Sequence, residues 1–236
     1  MKLYDLIAEN YEDIFPLEKE KVDFIKTFCK EGKILDAGCA TGELCFTLLN
    51  EGFTPIGIDL NTKMISIAQN KISPAASNIR FEVEDMLNIV KFGQFNAVFC
   101  FGNTLPHLKN KDEVFLFFSH IYKSLLEDGV FIFQILNYDK IISEQKMNFK
   151  IIENGNLIFK RSYDFAEQER LKFIINFTDK KNNESLSDHT FLLPLKQEFL
   201  KESLKKVGFK KIGCYSDYNF TPSDLTEYST IYAAEK

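Results

Sequence analysis

The fold of this 236-residue chain is decided by one stretch, Lys33-Ile34-Leu35-Asp36-Ala37-Gly38-Cys39-Ala40-Thr41-Gly42-Glu43. A short apolar run leads into a turn with two glycines, and the pattern after it is helical, with Thr41 as the predicted cap of a helix that ends before Gly52. Such a turn exposes backbone N–H groups where a ligand can approach the chain closely. We therefore expect a ligand site at this turn.

Outward from the turn, short apolar runs alternate with amphipathic helical segments. The runs cover residues 34–36, 55–59, 79–83, 97–101 and 130–133. Asn61 is the predicted cap of a helix over 64–71, and Asp112 is the predicted cap of a helix that ends near Leu125. Two further helices are predicted over 4–11 and 17–29. This alternation is typical of an α/β protein with a parallel sheet and crossover helices.

After Asn137 the apolar period changes from helical to alternating. Alternating runs cover 157–163, 171–177 and 189–193, and Asn154-Gly155 is a strong hairpin signal before the first of them. These runs predict an inserted antiparallel β meander over 148–195. A last helix before Gly208 and two strand-like runs, 212–215 and 229–233, follow it. We interpret 1–236 as a single domain with an N-terminal helical segment (1–32), a ligand-binding core (33–140), the meander as a lid (148–195), and a closing helix and two strands (196–236).

Composition excludes several classes of protein. Hydrophobic residues make up 45% and charged residues 27% of the chain, which is enough apolar material to bury a core. The net charge of −5 disfavours binding to nucleic acid or to an acidic membrane surface. Five scattered cysteines without a Cys-x-x-Cys pair favour neither a disulfide framework nor a metal site. Without a membrane-length apolar stretch or a signal-like start, we expect a cytoplasmic protein, monomeric or homodimeric.

The class of cofactor follows from two acidic residues. Asp59 ends the second predicted strand, 21 residues beyond Gly38, where an acidic side chain can hold a ribose diol. A dinucleotide site has Gly-x-Gly-x-x-Gly at the preceding turn so that a pyrophosphate can lie against bare backbone. Here Asp36 occupies the position of the first glycine, and its charge would repel a pyrophosphate. A cofactor that carries an ammonium group would accept it.

Four short motifs follow one another along the chain. They are Leu35-Asp36-Ala37-Gly38-Cys39-Ala40-Thr41-Gly42, Gly57-Ile58-Asp59-Leu60-Asn61, Glu84-Asp85-Met86 and Phe95-Asn96-Ala97-Val98-Phe99. In this order they resemble the class I S-adenosylmethionine-dependent methyltransferases, over about residues 33 to 136. The resemblance implies a Rossmann-like, seven-stranded, mostly parallel sheet with helices on both faces, the meander being an addition to it. It also implies S-adenosyl-L-methionine as the cofactor. Ala40 is a departure, since many members have glycine there.

The resemblance assigns cofactor roles to particular residues. The turn of Asp36, Gly38, Cys39, Thr41 and Gly42 would cradle the methionyl part of the cofactor. Asp59 would bind the ribose hydroxyls, Leu60 and Met86 would pack on the adenine, and Asp85 would accept its amino proton. Tyr4, Tyr11 and Phe101 are candidates to border the sulfonium by cation–π contact. Met64 completes the expected cofactor residues.

We expect the methyl acceptor to be a small molecule. The segment that follows the fourth predicted strand is the first indication of its class. The segments 101–108 and 137–139 and the opening 4–12 resemble glycine/sarcosine N-methyltransferase-like proteins and nucleotide-sugar amine N,N-dimethyltransferases, which implies an amine nitrogen. His107 is the candidate catalytic base or substrate contact. The candidate substrate residues are Tyr4, Asn103, His107, Asn137 and His189. The alternatives are a non-catalytic S-adenosylmethionine-binding protein, a nicotinamide-dependent oxidoreductase and a nucleic-acid methyltransferase.

Overall fold

The structure is a computed structural model that describes residues 2–74, 78–166, 169–224 and 226–236. In these ranges the strands are β1 (Gly32–Ala37), β2 (Phe53–Asp59), β3 (Arg80–Val83), β4 (Phe95–Cys100), β5 (Leu125–Leu136), β6 (Ile152–Glu153), β7 (Leu157–Asp164), β8 (Leu171–Asp179), β9 (Glu184–Leu192), β10 (Lys211–Tyr215) and β11 (Ser229–Glu235). The α-helices are α1 (Lys2–Asp5), α2 (Tyr11–Ile14), α3 (Lys19–Phe28), α4 (Glu43–Asn50), α5 (Thr62–Asn70), α6 (Lys111–Ser124), α7 (Tyr138–Ser143) and α8 (Gln197–Val207). Short 3-10 helices span Ala8–Asn10, Met86–Phe92 and Leu105–His107.

The main sheet has seven strands in the order β10-β11-β5-β4-β1-β2-β3. Strands β1 to β5 pair in parallel, while β11 runs antiparallel to both of its neighbours. In the centre, Leu35 of β1 lies opposite Ile56 of β2 on one side and Val98 of β4 on the other. The predicted α/β class, with a seven-stranded and mostly parallel sheet, is confirmed.

Helices cover both faces of this sheet because successive side chains of a strand point to opposite faces. On one face, Phe131 and Phe133 of β5 pack with Phe118 of α6. On the other face, Ile132 of β5 belongs to a separate apolar cluster that includes Phe24 of α3. Burial on both faces explains why these strands read as nearly continuous apolar runs. Within the described ranges, no helix is both long and apolar enough to cross a membrane.

The predicted meander forms a second sheet, antiparallel, in the order β6-β7-β8-β9. Its first turn is closed by Asn154, whose Oδ1 accepts hydrogen bonds from the backbone N–H groups of Asn156 (2.8 Å) and Leu157 (3.0 Å). One face carries buried Phe159, Ile175 and other apolar residues, which form one cluster with residues of the N-terminal segment. The sheet therefore lies over the N-terminal segment rather than standing free in solvent.

Three local predictions are wrong. The segment 4–11 is not one helix, because α1 ends at Asp5 and a separate 3-10 turn spans Ala8–Asn10 before α2. Helix α4 begins after Gly42, which has φ of 82°, and Thr41 does not cap it. The hydroxyl of Thr41 donates instead to Oε1 of Glu12 at 2.7 Å.

The third wrong prediction concerns the cap of α6. Asn110, and not Asp112, caps this helix, with its Oδ1 accepting a hydrogen bond from the N–H of Glu113. The predicted cap Asn61 is confirmed, since its side chain accepts a hydrogen bond from the N–H of Met64 at 2.9 Å.

Candidate functional site

Two cavities adjoin at the carboxyl ends of β1, β2 and β4. The larger has a volume of about 800 Å³ and the smaller a volume of about 70 Å³. Both are lined by Tyr4 and Tyr11 of the N-terminal segment, by Gly38 and Ala40 of the glycine turn, and by Gly102 after β4. Ligands of open α/β sheets bind at this edge.

The turn between β1 and α4 leaves room for a ligand at the cost of unusual backbone angles. Gly38 has φ of 86°, and a Cβ on it would lie 2.5 Å from the side chain of Thr104. The N–H groups of Gly38 and Cys39 both donate to the carbonyl of Ile58, at 2.8 and 3.0 Å, which fixes the turn against β2. Ala40 follows with φ of 48°, a left-handed conformation that is uncommon for a residue with a side chain. Of the residues expected to cradle the cofactor, Cys39 and Thr41 line the larger cavity, whereas Gly42 lines neither cavity and a Cβ on it would lie 2.5 Å from the ring of Phe81.

Asp36 ends β1 as a buried carboxyl group beside the larger cavity. Its Oδ1 has no hydrogen-bond partner. Burial raises its pKa to about 7, and nearby Asp59 adds to this, while the ammonium of Lys21 acts in the opposite direction. An unpartnered buried oxygen of this kind fits a donor supplied by a ligand.

Lys21 of α3 lines the same cavity as a half-buried cation. Its Nζ lies 5.2 Å from the ring centre of Phe101 and 5.4 Å from that of Tyr218. Burial lowers the pKa of this ammonium. Asp36 and Lys21 together present one carboxyl group and one amino group, which suit the ammonium and carboxylate of an amino-acid moiety.

Asp59 lies at the end of β2 and lines the smaller cavity. Its Oδ2 accepts a hydrogen bond from the N–H of Ala40 at 3.1 Å, and its Oδ1 accepts one from the N–H of Asn61 at 2.8 Å. Burial raises the pKa of this carboxyl group, although these N–H groups favour its ionised form. Each carboxylate oxygen retains a lone pair that a hydroxyl donor can use.

Apolar side chains line the smaller cavity beside Asp59. Leu60 is 49% exposed there, while Met64 and Met86 are buried beside it. An exposed leucine at a concave site fits contact with a flat ring, as predicted for adenine. Asp85 lines neither cavity: its Oδ1 accepts a hydrogen bond from the N–H of Leu87 at 2.9 Å and caps the 3-10 helix, and Glu84 lines the cavity instead. The carboxyl group of Asp85 therefore does not border the cavity in which the adenine contact was expected.

His107 lines the smaller cavity and not the larger one. The hydroxyl of Tyr4 lies 3.0 Å from its Nε2. Burial lowers the pKa of the imidazole to about 4, with a smaller contribution from the charge of Arg170. His107 is thus a neutral group at the cofactor end, with one ring nitrogen already bonded, and the expected role as a base has no support from this position.

The other predicted substrate residues are divided between the cavity and its surroundings. Asn103 lines the larger cavity, donates through Nδ2 to the hydroxyl of Tyr138 (2.9 Å) and accepts from the N–H of Leu136 (3.0 Å). Asn137 is buried, where it caps α7 and donates to the carbonyl of Glu227. His189 is exposed on the outer face of the second sheet. Asn137 and His189 line neither cavity, so the prediction that they contact a substrate is corrected.

Several cavity residues escaped sequence reasoning. Arg161 and Tyr163 of β7 line the larger cavity, as do Lys21 and Tyr218. The sequence does contain an indication for Arg161, because this residue interrupts the apolar face of the alternating run that contains Leu157 and Phe159. No feature of the sequence predicts Lys21 as a cavity residue, since a lysine on a surface helix is ordinarily solvated. In the described part of the chain, no three His, Cys, Asp or Glu side chains are grouped as metal ligands.

Comparisons with known proteins agree with this geometry. The profile of a family described as a methyltransferase domain matches residues 34–129. A putative methyltransferase of Geobacillus sp. is 39% identical over 108 residues, which are 45% of this chain and 44% of that protein, so the match spans less than half of the relative's length.

Two other proteins are similar over nearly the whole chain. A glycine/sarcosine N-methyltransferase of Aphanothece halophytica is 27% identical over 228 residues, which cover 90% of this chain and 80% of that protein. Among solved structures, an S-adenosylmethionine-dependent methyltransferase from Clostridium acetobutylicum superposes with a TM-score of 0.83 over 98% of both chains, at 20% identity. The second similarity includes the meander as well as the main sheet.

Proposed function

We propose that the chain is a class I S-adenosylmethionine-dependent methyltransferase and that it transfers a methyl group from this cofactor to a small-molecule amine. The match of a methyltransferase-domain profile to residues 34–129 and the similarity to a glycine/sarcosine N-methyltransferase over 90% of the chain support this proposal. The observation that carries the proposal is the unpartnered Oδ1 of Asp36, buried at the edge of a cavity that also contains Lys21. A cofactor with an amino-acid moiety supplies both missing partners. When bound, S-adenosylmethionine provides a methyl group activated by a sulfonium.

We assign the two cavities to different parts of the reaction. The ribose and adenine would lie in the smaller cavity, against Asp59, Leu60 and Met86, and the methionyl part at the turn near Asp36. The remaining space of the larger cavity, about 800 Å³ in all, would hold the acceptor. Its aromatic lining, which includes Tyr11 and Phe101, excludes water and brings the reacting atoms together, and positioning of this kind provides most of the rate in such a displacement.

An amine is the proposed acceptor for two reasons. The similarity to a glycine/sarcosine N-methyltransferase covers 90% of this chain, and residues of the meander line the larger cavity, where the acceptor would lie. The polar groups there, such as the hydroxyls of Tyr4 and Tyr163, can accept hydrogen bonds from an amine nitrogen, and burial raises the pKa of both phenols so that they stay uncharged. His107 would act as a positioning residue by holding Tyr4.

The test has two steps. Titration calorimetry with S-adenosylmethionine should show binding, and labelled donor should then transfer its methyl group to members of a panel of amines in preference to alcohols and carboxylates. Tight binding of NADH without binding of the methyl donor would favour an oxidoreductase and overturn the proposal. Binding of the donor with no transfer to any acceptor would instead favour a non-catalytic binding protein.

A further inference from the structure

The meander brings one cation to the acceptor part of the larger cavity without giving it an anionic partner. Arg161 of β7 is half-buried, and its Cζ lies 5.3 Å from the ring centre of Phe15 and 5.6 Å from those of Phe149 and Phe159. Its Nε is buried without a hydrogen-bond partner. Among the described residues, no carboxylate lies within ion-pair distance of its guanidinium.

Such an arrangement is costly in a folded protein. Partial burial of a guanidinium removes water from its five N–H donors, and an unmade hydrogen bond from a charged group costs more than one from a neutral group. Cation–π attraction between the guanidinium and the aromatic rings offsets part of this free-energy cost. They cannot satisfy the planar N–H donors of Arg161, which match two oxygens of a single anion.

Two further cations line the same cavity, on the segment whose backbone pairs with β7. They are Lys146, whose Nζ lies 5.2 Å from the ring centre of Tyr228, and Lys150, and neither forms an ion pair with any residue in the described ranges. Backbone hydrogen bonds hold their segment against β7, from the N–H of Tyr163 to Met147 (2.7 Å) and from the N–H of Phe149 to Arg161 (3.2 Å). The three cations are therefore carried by two neighbouring stretches of chain.

The acidic residues of the cavity lie on other elements. Glu18, Asp36 and Glu43 belong to the start of α3, the end of β1 and the start of α4, around the glycine turn, and Asp217 lies between β10 and β11. Asp217 already accepts hydrogen bonds from the N–H groups of Asn219 and Thr221. The acidic residues of the cavity therefore lie on elements other than β7 and the segment paired with it, which carry Arg161, Lys146 and Lys150.

We propose that Arg161, with Lys146 and Lys150, binds a phosphate group carried by the amine acceptor. This inference rests on the proposed function, and it names the class of acceptor as a phosphorylated amine. A phosphomonoester carries a charge of about −1.5 to −2 at neutral pH and three strong acceptor oxygens. One oxygen pair suits the fork of Arg161 and the remaining charge suits the two ammonium groups, whereas a carboxylate would leave most of this positive charge unbalanced.

The test measures binding of inorganic phosphate to the whole chain by ³¹P NMR titration, with acetate as the comparison anion in calorimetry. Saturable binding of phosphate is expected, at least tenfold tighter than that of acetate. Arg161→Met should weaken phosphate binding tenfold or more, Arg161→Lys less, and Lys146→Gln with Lys150→Gln severalfold. Lys160→Gln is the matched control, because Lys160 is an exposed cation of the same strand, and it should leave the affinity unchanged.

Three results would overturn the inference: no saturable binding of phosphate by the folded wild type, equal affinity for acetate, or an equal loss in the Lys160 and Arg161 variants. Folding of each variant is checked by circular dichroism, and Arg161→Lys retains a charge if Arg161→Met fails to fold. Arg161→Met should also leave the affinity for S-adenosylhomocysteine unchanged, since a loss would place Arg161 in the cofactor site. Failure of the proposed function is seen separately, as no binding of S-adenosylmethionine and no methylation of any amine.

Discussion

The hydroxyl of Tyr4 and the Nε2 of His107 lie 3.0 Å apart, and the two rings meet edge to face with their centres separated by 5.6 Å. This contact joins the N-terminal segment to the loop after β4, across the smaller cavity. The segment is held at a second point, where Nδ2 of Asn61 donates to Asp5 at 2.8 Å. The N-terminal segment is therefore held against the smaller cavity, and the contact between Tyr4 and His107 helps to keep it in place.

The first prediction is that this contact contributes to affinity for the methyl donor. Tyr4→Phe removes the hydroxyl and His107→Ala removes its partner, and each should weaken donor binding by about 0.5–1.5 kcal/mol, the scale of one hydrogen bond. Because both changes delete the same interaction, the double variant should lose less than the sum of the two, as measured by calorimetry.

Activity against pH separates this role from that of a base. With its pKa near 4, the imidazole of His107 is neutral throughout the range around pH 7. The rate of His107→Ala at saturating donor should therefore differ from that of the wild type by a constant factor between pH 6 and 9. A loss that recovers at high pH would contradict this view and restore His107 as a base.

The second prediction concerns stability and Asp36. In the unfolded chain this carboxyl group loses its proton near pH 3.8, whereas in the folded protein it does so near pH 7. Between these values the folded state holds the additional proton, so the free energy of unfolding should fall as pH rises, by at most about 1.4 kcal/mol per pH unit from this group. Burial is the main cause of this raised pKa, the ammonium of Lys21 opposes it, and the carboxylate of Asp59 adds to it.

Urea unfolding of the wild type and of Asp36→Asn between pH 5 and 8 tests this prediction. The variant cannot ionise at position 36, so its curve should be flatter, and the two curves should diverge with rising pH. Parallel curves would mean that Asp36 is already ionised at pH 5. Asp36→Asn should also weaken binding of the methyl donor, because the ammonium of the cofactor loses a charged partner.

The third prediction assigns Lys21 to the carboxylate of the cofactor. Lys21→Met keeps most of the side chain's volume and removes the charge, so affinity for S-adenosylhomocysteine should fall tenfold or more. Affinity for 5′-methylthioadenosine, which lacks the amino-acid part, should be unchanged. Lys19→Met, on the exposed side of the same helix, is the control and should affect neither ligand. Equal losses for both ligands would show that Lys21 supports the fold and not the carboxylate.

The main elements of this fold can be predicted from the sequence because the residues that determine them are close together along the chain. The turn that contains Gly38, the strand end at Asp59 and the hairpin at Asn154 each depend on a few neighbouring residues, and the structure has all three where they were expected. The acceptor side depends on contacts between distant segments. Tyr4 meets His107 across 103 residues, and that separation leaves no periodic pattern to detect. Residue type alone points to His189 as a substrate residue, and the alternation of side chains along β9 places it on the outer face of the second sheet.

The last prediction concerns Ala40, which stands in the glycine turn where many of the methyltransferases that the sequence resembles have glycine. Its φ of 48° is left-handed, which costs a residue with a Cβ roughly 1–2 kcal/mol. Ala68 of α5 is the matched control, since it is likewise buried but has ordinary helical geometry. Substitution by glycine removes one buried methyl group at each position and increases the entropy of the unfolded chain equally, but it releases backbone strain only at position 40.

Ala40→Gly should therefore cost at least about 1 kcal/mol less stability than Ala68→Gly, or should even be stabilising. Urea unfolding of the two variants measures the difference directly, with equal slopes confirming that the unfolded states are comparable. Because the N–H of Ala40 donates to Asp59, relaxation of the turn can also shift that carboxylate, and donor affinity measured on the same samples would show it. Equal losses of stability in the two variants would mean that the left-handed turn at Ala40 stores no strain.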